Sequence, residues 1–571
     1  MESRACIALV SALLIGATIE QASAQRTPQP VVRTGNFIEV ANDLFMHLIA
    51  TADMRYKVAH NLDFEEQIRD QATSRSPTNT SQHETEGDLT YAEVRFGVDF
   101  RYQKNLTFQL LFENQSVFDG NLIDDRSNNS NPGGTDVFGR GPSTENPGFR
   151  VERYWIRYQF PNTPLRLHVG ADLSGVSQSN IVFNDNPKIR LDAEFGALQL
   201  WAAAVIEREG QRLGLENDND SIYYGFGGTY SLAPHIFGLD VVYFRDRFSG
   251  ADTQTVGLRG GLGWTGQKSN SVWINASWKG RLGPVLGLVQ GNLMTGTARG
   301  ATGGLPAGVP AGRDYDILAG SVIAYAEGDF GVVRPFVGFI WGSGDGDPRD
   351  NELHGFATQP QDDSTGIATG LMGHFDRSPA FGGARDYSCP GRLRGVASRA
   401  NGNAASPYAI GANVTEGSHG NAFAECAHTV ANVWNARLGR RAHSGLQITY
   451  SNPGTIVIPV GLRLFPLRGH EITGWYVHRR MVDTGLLETA LAPELAGRRI
   501  GRAQYHELGA FWMWTLNLHF DIRLLGTVGI PTGGTKDLGR LADCNPTVAG
   551  VQSCDANDVA LRGEARFRAR F

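Results

Sequence analysis

The chain has 571 residues, a formal net charge of −6 and 41% hydrophobic residues. With 52 basic against 58 acidic side chains there is no basic footprint of the kind nucleic acid demands, so a nucleic-acid partner is excluded. Its 71 glycines and 10% aromatics sit awkwardly with one soluble core of this length, but suit a barrel with a wet interior and glycine-bearing turns.

Arg4 gives a short basic start, Ala5 to Ile19 is apolar, and Ala22-Ser23-Ala24 is a small-x-small cleavage pattern. Residues 1–24 therefore read as a secretory signal peptide, which removes Cys6 with it. No later run of 18 apolar residues occurs, so no transmembrane helix is expected and the exported chain is either soluble or strand-built. Residues 25–43, polar and carrying Pro28 and Pro30, read as a periplasmic N-terminal leader.

From residue 44 to 571 the pattern is that of strands. A weakly patterned strand lies within 44–60, and 70–87 is loop by composition. Tyr91, Glu93, Arg95, Gly97, Asp99 and Arg101 then alternate with Ala92, Val94, Phe96, Val98, Phe100 and Tyr102. Because successive strand side chains point to opposite faces, this is one apolar and one charged face. The chain turns at 103–105 and returns from Leu106. A second hairpin pairs 151–160 with 165–172 around Pro161 and Pro164. Further strands are expected at 190–196, 197–207, 221–231, 235–246, 254–264, within 272–295, and at 315–327, 332–342, 455–465, 470–480, 503–515 and 517–530.

The insertion at 343–444 has little periodicity and reads as an outer loop able to constrict a pore. Inside it, Asp345, Asp347, Asp350 and Glu352 read as a solvated acidic loop, because they lack EF-hand spacing. Four cysteines remain in the exported chain, Cys389, Cys426, Cys544 and Cys554. An even number in that compartment reads as disulfides, and no C-x-x-C spacing favours a metal. Three pairings exist; nearest neighbours, Cys389–Cys426 and Cys544–Cys554, are preferred because both pairs would restrain surface loops.

The last stretch, 559–571, alternates most strictly. Val559, Leu561, Ala565, Phe567, Ala569 and Phe571 share one face, and Arg562, Glu564, Arg566, Arg568 and Arg570 share the other. Arg at a bilayer midplane is unfavourable by roughly 2–4 kcal/mol, so the arginines face a lumen and the apolar side faces lipid. The fold class is thus all-β, a closed antiparallel transmembrane β-barrel with long extracellular loops, in the bacterial outer membrane.

Three stretches carry a family resemblance: Arg153-Tyr-Trp-Ile-Arg157-Tyr-Gln-Phe-Pro161 with 165–170, Trp341-Gly-Ser-Gly-Asp345-Gly-Asp347-Pro348, and Asn452-Pro453-Gly454 followed by 457–466. In this order, with the signal peptide and a terminal Phe571, the chain resembles the bacterial alginate-export porins. The resemblance implies 18 strands and an arginine-rich, anion-selective pore for an anionic polysaccharide, with periplasmic export partners. It also makes Phe571 the signal read by the barrel-assembly machinery. Counting short and long turns from both ends accommodates eighteen strands when 272–295 supplies one strand and 445–465 supplies one.

By alternation the inward arginines are Arg95, Arg101, Arg153, Arg157, Arg166, Arg190, Arg259, Arg463, Arg523, Arg562, Arg566 and Arg568. Facing carboxylates are fewer: Glu93, Asp99, Asp172, Asp192, Glu194, Asp521 and Glu564. Surplus positive charge between low-dielectric walls concentrates anions, and guanidinium matches carboxylate bidentately. The expected function is passage of anionic solutes, with no cofactor and no metal. His470, Glu471 and His478 do not form H-E-x-x-H; on a strand the two histidines lie about 26 Å apart. No G-x-S-x-G occurs, so an enzyme is not expected, although a barrel-rim enzyme or a sheath for a protein partner are the rival classes.

Overall fold

In lipid every backbone N–H and C=O must find a partner within the protein, so a strand-built span must close on itself. The computed structural model describes residues 38–60 except 42, 87–117 except 104, 150–208 except 173, 177–181 and 185–186, 221–246, and 268–299. It further describes 314–356 except 348–349, 454–537 except 491–494, 496, 518 and 535, and 559–570. The elements begin with β1 (Ile38–Ala41), β2 (Leu44–His60), β3 (Gly87–Tyr102), β4 (Leu106–Val117), β5 (Arg150–Gln159) and β6 (Leu165–Ala171). They continue with β7 (Ser174–Val176), β8 (Val182–Asn184), β9 (Pro187–Phe195), β10 (Leu198–Arg208), β11 (Ser221–Leu232), β12 (His235–Asp246), β13 (Lys268–Leu282) and β14 (Val285–Arg299). Next come β15 (Asp314–Gly328), β16 (Val333–Gly342), β17 (Glu352–Leu353), β18 (Thr455–Leu464) and β19 (His470–Arg480). A one-turn helix α1 (Gly485–Ala490) precedes β20 (Ala503–Thr515), β21 (Phe520–Pro531) and β22 (Ala560–Arg570).

Twenty strands form one sheet, and β7 with β8 form a separate ribbon. Two of the twenty are accessory. β1 folds back on the start of β2, with Ile38 opposite Met46, and β17 runs parallel to β15, with Leu353 opposite Ile317. The other eighteen are antiparallel staves, and the sheet closes where β2 pairs with β22 from Thr51↔Arg570 to His60↔Leu561. Turns at one end hold two to five residues, as at 196–197, 283–284 and 465–469, whereas at the other end the connections hold at least twelve. This is the periplasmic and extracellular asymmetry of an outer-membrane barrel. The walls are uneven: β13, β14 and β15 each run 15 residues and β6 only 7.

The total of eighteen stands, but its composition differs from expectation. The stretch 272–295 lies across two staves, β13 and β14, that meet at Gly283-Pro284. Gly283 adopts φ 58°, the left-handed conformation that a two-residue hairpin loop requires, and Gly is the residue that takes it without strain. β12 pairs directly with β13, and the strand expected at 254–264 lies outside the described residues.

The register sorts the two faces. Leu48, Ile156, Ile189, Leu293, Leu318 and Phe567 point outward and are exposed, forming the apolar belt. Asp53, Asp99, Asn275, Gln290, Glu327 and Arg568 point inward and are buried. At the closing seam, Asp521 accepts from Arg568 at 2.7 and 2.9 Å, from Arg523 at 3.0 Å, and from Arg570; Asp53 accepts from Arg566 Nε at 2.8 Å. One carboxylate thus balances three guanidiniums from the last two staves, and a second ties β22 to β2.

Two outcomes test this arrangement. Asp521→Asn leaves buried guanidiniums under-compensated and should destabilise the barrel by about 3–5 kcal/mol, seen as a lower temperature for the electrophoretic shift from folded to unfolded mobility. Leu293→Arg, on the outward face at mid-stave, should lower stability in vesicles by about 2–4 kcal/mol in denaturant titration.

Candidate functional site

The inward face divides into two arcs. From β10 through β20 it is mostly uncharged, with Tyr223, Phe244, Trp273, Ile317, Ile340 and Trp475 buried in one apolar cluster. From β21 through β22, β2 and on to β9 it is charged. Of the arginines expected to line the lumen, the pairing places Arg95, Arg101, Arg153, Arg157, Arg166, Arg190, Arg463, Arg523, Arg566 and Arg568 on the inward face, and Arg562 falls at a position of the same register. Arg259, the four cysteines Cys389, Cys426, Cys544 and Cys554, and Phe571 lie outside the described residues.

These arginines are not alike. Arg463, on the uncharged arc, is held by both oxygens of buried Glu327 at 3.0 Å and by Glu471 at 3.3 Å, with Phe465 beneath its guanidinium. Its charge is spent on bracing β15, β18 and β19 together. Arg523 and Arg568 are equally enclosed at the seam, with side chains 9% and 5% exposed. By contrast Arg166 and Arg190 keep 27% and 22% of their side-chain surface in contact with solvent.

One row across five staves collects this accessible charge. Arg101 on β3 stands opposite Thr107 on β4, which stands opposite Arg157 on β5; Arg157 faces His168 on β6, and His168 faces Arg190 on β9. With neighbouring strands about 4.8 Å apart, successive arginines are spaced by roughly 10 Å. Arg157 lies over the Trp155 ring at 4.6 Å and Arg190 over the Trp201 ring at 5.2 Å. A guanidinium laid on an aromatic face has a fixed plane, which sets the direction in which it can meet a planar carboxylate. The supporting tryptophans are fixed in turn. Trp155 Nε1 donates to Gln109 at 2.8 Å and Gln109 donates to Asp99 at 2.7 Å, while Trp201 Nε1 donates to Asp240 at 3.0 Å. Arg190 also donates to Asp192 at 2.8 Å, and Arg166 pairs with Glu194 at 3.1 Å.

Alternation identified the arginines but not their supports. Trp155, Trp201, Gln109 and Asp240 come from four separate staves, and only register brings them together. Lys188 and His168 were also missed: Lys188 Nζ donates to the Asp172 carbonyl at 2.5 Å, and His168 Nε2 lies 3.7 Å from the Asp172 carboxylate. The Trp341-Gly-Ser-Gly-Asp345 stretch differs from expectation as well. Asp345 is fully buried rather than solvated, because the chain after β16 folds back along β15: Ser343 N donates to Gly320 O at 2.8 Å and Phe356 N to Ser343 O at 2.9 Å. His470, Glu471 and His478 are apart, at a Trp512–Trp514 stack, at Arg463 and at His506 respectively. Among the described residues no three His, Cys, Asp or Glu side chains gather as metal ligands.

A closed eighteen-stave antiparallel sheet, apolar outside and charged inside, with its short turns at one end, is an outer-membrane β-barrel, and it locates the protein in a bacterial outer membrane. No family model matches the sequence, and no curated protein matches it. Among solved structures the chain is similar to OccAB3 of Acinetobacter baumannii, at 11% identity over 92% of this chain and 99% of that one, with a TM-score of 0.45. It is also similar to OccK2 (OpdF) of Pseudomonas aeruginosa in complex with glucuronate, at 10% identity over 92% and 98%, TM-score 0.42. OpdK of the same organism with vanillate gives 10%, 92%, 98% and 0.43.

The support beneath Arg190 can be tested through Gly227. A Cβ there would stand 2.1 Å from Asp240 Oδ1 and 2.9 Å from Trp201 Nε1. Gly227→Ala should therefore break the Trp201–Asp240 hydrogen bond, with an overpacking penalty of about 1–3 kcal/mol, seen as altered tryptophan fluorescence and a lower unfolding midpoint.

Proposed function

We propose that the barrel is a passive channel for small anionic solutes, carboxylates foremost. The observation that carries this reading is the row of Arg101, Arg157 and Arg190, set in an arc where described inward cations outnumber described inward carboxylates. The cations are Arg95, Arg101, Arg153, Arg157, Arg166, Lys188, Arg190, Arg523, Arg566, Arg568 and Arg570; the carboxylates are Asp53, Asp99, Asp172, Asp192, Glu194 and Asp521. Anions are drawn to that arc and handed between arginines spaced closely enough for one to take over from the next. Asp192, bonded to Arg190 at 2.8 Å, weakens that site, so the solute is released. The concentration gradient sets the direction.

Export of an anionic polysaccharide such as alginate is the finer form of this proposal, resting on the sequence resemblance and on the same row, which a polyuronate would engage at several sugars at once. In that form the insertion at 343–444 controls access, periplasmic export partners deliver the polymer, and the assembly machinery reads Phe571.

Single-channel recording in a planar bilayer under a KCl gradient tests the proposal. Stable conductance with a reversal potential on the anion side is expected. The pair Arg157→Gln and Arg190→Gln should lower the anion-to-cation permeability ratio by roughly twofold or more, and more strongly at low salt, where screening is weak. Block by oligouronate, but not by monomeric uronate at equal carboxylate concentration, would support the polymer form. Conductance without ion preference would sink the anion reading, and absence of conductance would favour a sheath or rim-enzyme role.

A further inference from the structure

On the lipid-facing side of β19 and β20 the apolar belt gives way to polar groups at the end nearest the long connections. The outward row Val460, Tyr476, Leu508 and Val528 is followed by Ile458, His478, His506 and Ile530, and then by Ile456, Arg480 and Ala503. Val460, Leu508, Ile458 and Ile530 are exposed apolar side chains, so the polar group stands at the upper margin of the belt.

Its depth follows from strand length. β19 spans 11 residues, about 33 Å along the strand and about 25 Å along the barrel axis at ordinary tilt. His470, stacked on Trp512 and Trp514, marks the short-turn boundary of an apolar belt that is itself about 25 Å tall. His478 and Arg480 therefore lie at the opposite boundary, where lipid headgroups of the external leaflet begin.

The polar group is organised. Tyr476 Oη is 2.6 Å from His506 Nδ1, and His478 Nδ1 is 3.3 Å from the same nitrogen, with the two imidazole rings stacked at 5.0 Å. With the Tyr476 hydroxyl donating to it, His506 Nδ1 is the acceptor of the pair and the His506 proton stands on Nε2. That Nε2–H is left for a group outside the trio. Arg480 lies two residues beyond His478 on the same face, and its Nε has no hydrogen-bond partner. The nearest acid in sequence, Asp483, is engaged by the Gly485 N–H at 2.7 Å and by Arg502 at 3.4 Å. Two imidazoles and a guanidinium at headgroup depth, above a bed of aliphatic side chains, match a phosphate ester carried on acyl chains.

We propose that Arg480, His478 and His506 bind the phosphate of an external-leaflet lipid, whose acyl chains lie over Ile458, Val460, Leu508 and Ile530. Native mass spectrometry of the detergent-solubilised full chain with added bisphosphorylated lipid A tests this. The wild type should retain one lipid A, with retention at least tenfold greater than for the same lipid after removal of its phosphates. The triple variant H478Q/H506Q/R480Q should lose that preference while keeping wild-type electrophoretic heat-modifiability, and millimolar inorganic phosphate should not compete. Equal retention of the phosphorylated and dephosphorylated lipids on the wild type would overturn the proposal without recourse to any variant. Unchanged retention by the triple variant, or full competition by inorganic phosphate, would overturn it as well, the latter by showing a soluble-anion site instead.

Discussion

Everything in this molecule depends on one ladder of hydrogen bonds closing where β22 meets β2. Without that pairing both strands would present unpaired N–H and C=O groups to hydrocarbon, a penalty of several kcal/mol for each group. The ten residue pairs from Thr51↔Arg570 to His60↔Leu561 remove it, and the side chains along them make the closure specific. A one-residue slip would swing Arg566 and Arg568 into lipid and Phe567 into the lumen, so the Asp53 and Asp521 ion pairs fix the register as well as the contact.

The arginines, alike in sequence, thereby divide by environment. At the seam and beside Glu327 they are enclosed and matched by carboxylates, and they act as mortar. On β5 and β9, Arg157 and Arg190 are propped on tryptophans, and Arg190 keeps 22% of its side-chain surface in solvent, whereas Arg95 and Arg153 are buried. The difference is one of enclosure: Arg568 is sealed against Asp521, whereas Arg190 is bonded to Asp192 and still meets solvent. Charge that is neutralised inside the wall contributes little to the field in the lumen, so the solute-facing character of the barrel rests on a few positions rather than on the full inventory.

Much of the fold could be read from the chain because a strand has period two and lipid enforces it: the terminal stretch shows its two faces outright, and the arginines picked by alternation whose side chains are described fall on the inward face. The misreadings have physical origins. β13 and β14 merge into one apparent strand because a two-residue turn consumes almost no sequence and Gly283-Pro284 is its only mark. Asp345 looked solvated because acidic, glycine-rich chain ordinarily is; its burial comes from backbone bonds to Gly320 and along β15, which leave no trace in composition. The propping of Arg157 by Trp155 was within reach, since the two are neighbours of one parity, two residues apart on β5. The propping of Arg190 by Trp201 was not, because it requires knowing which residue on β10 stands beside which on β9.

The unequal stave lengths give the outer mouth a shape. Fifteen residues rise about 35 Å along the axis, so β13, β14 and β15 overtop a belt about 25 Å tall by roughly 10 Å. The Arg299–Asp314 pair, at 3.8 Å and exposed, sits on that crest in water rather than in lipid. The seven-residue stave β6, next to Arg157 and Arg190, lies in a dip between that crest and a second one at β2 and β3, which run 17 and 16 residues. Among the described staves the outer rim is thus notched at β6. A bulky particle approaching from outside meets the parapet first, whereas a small ion slipping over the low lip is already close to the arginines, with little wall left to cross.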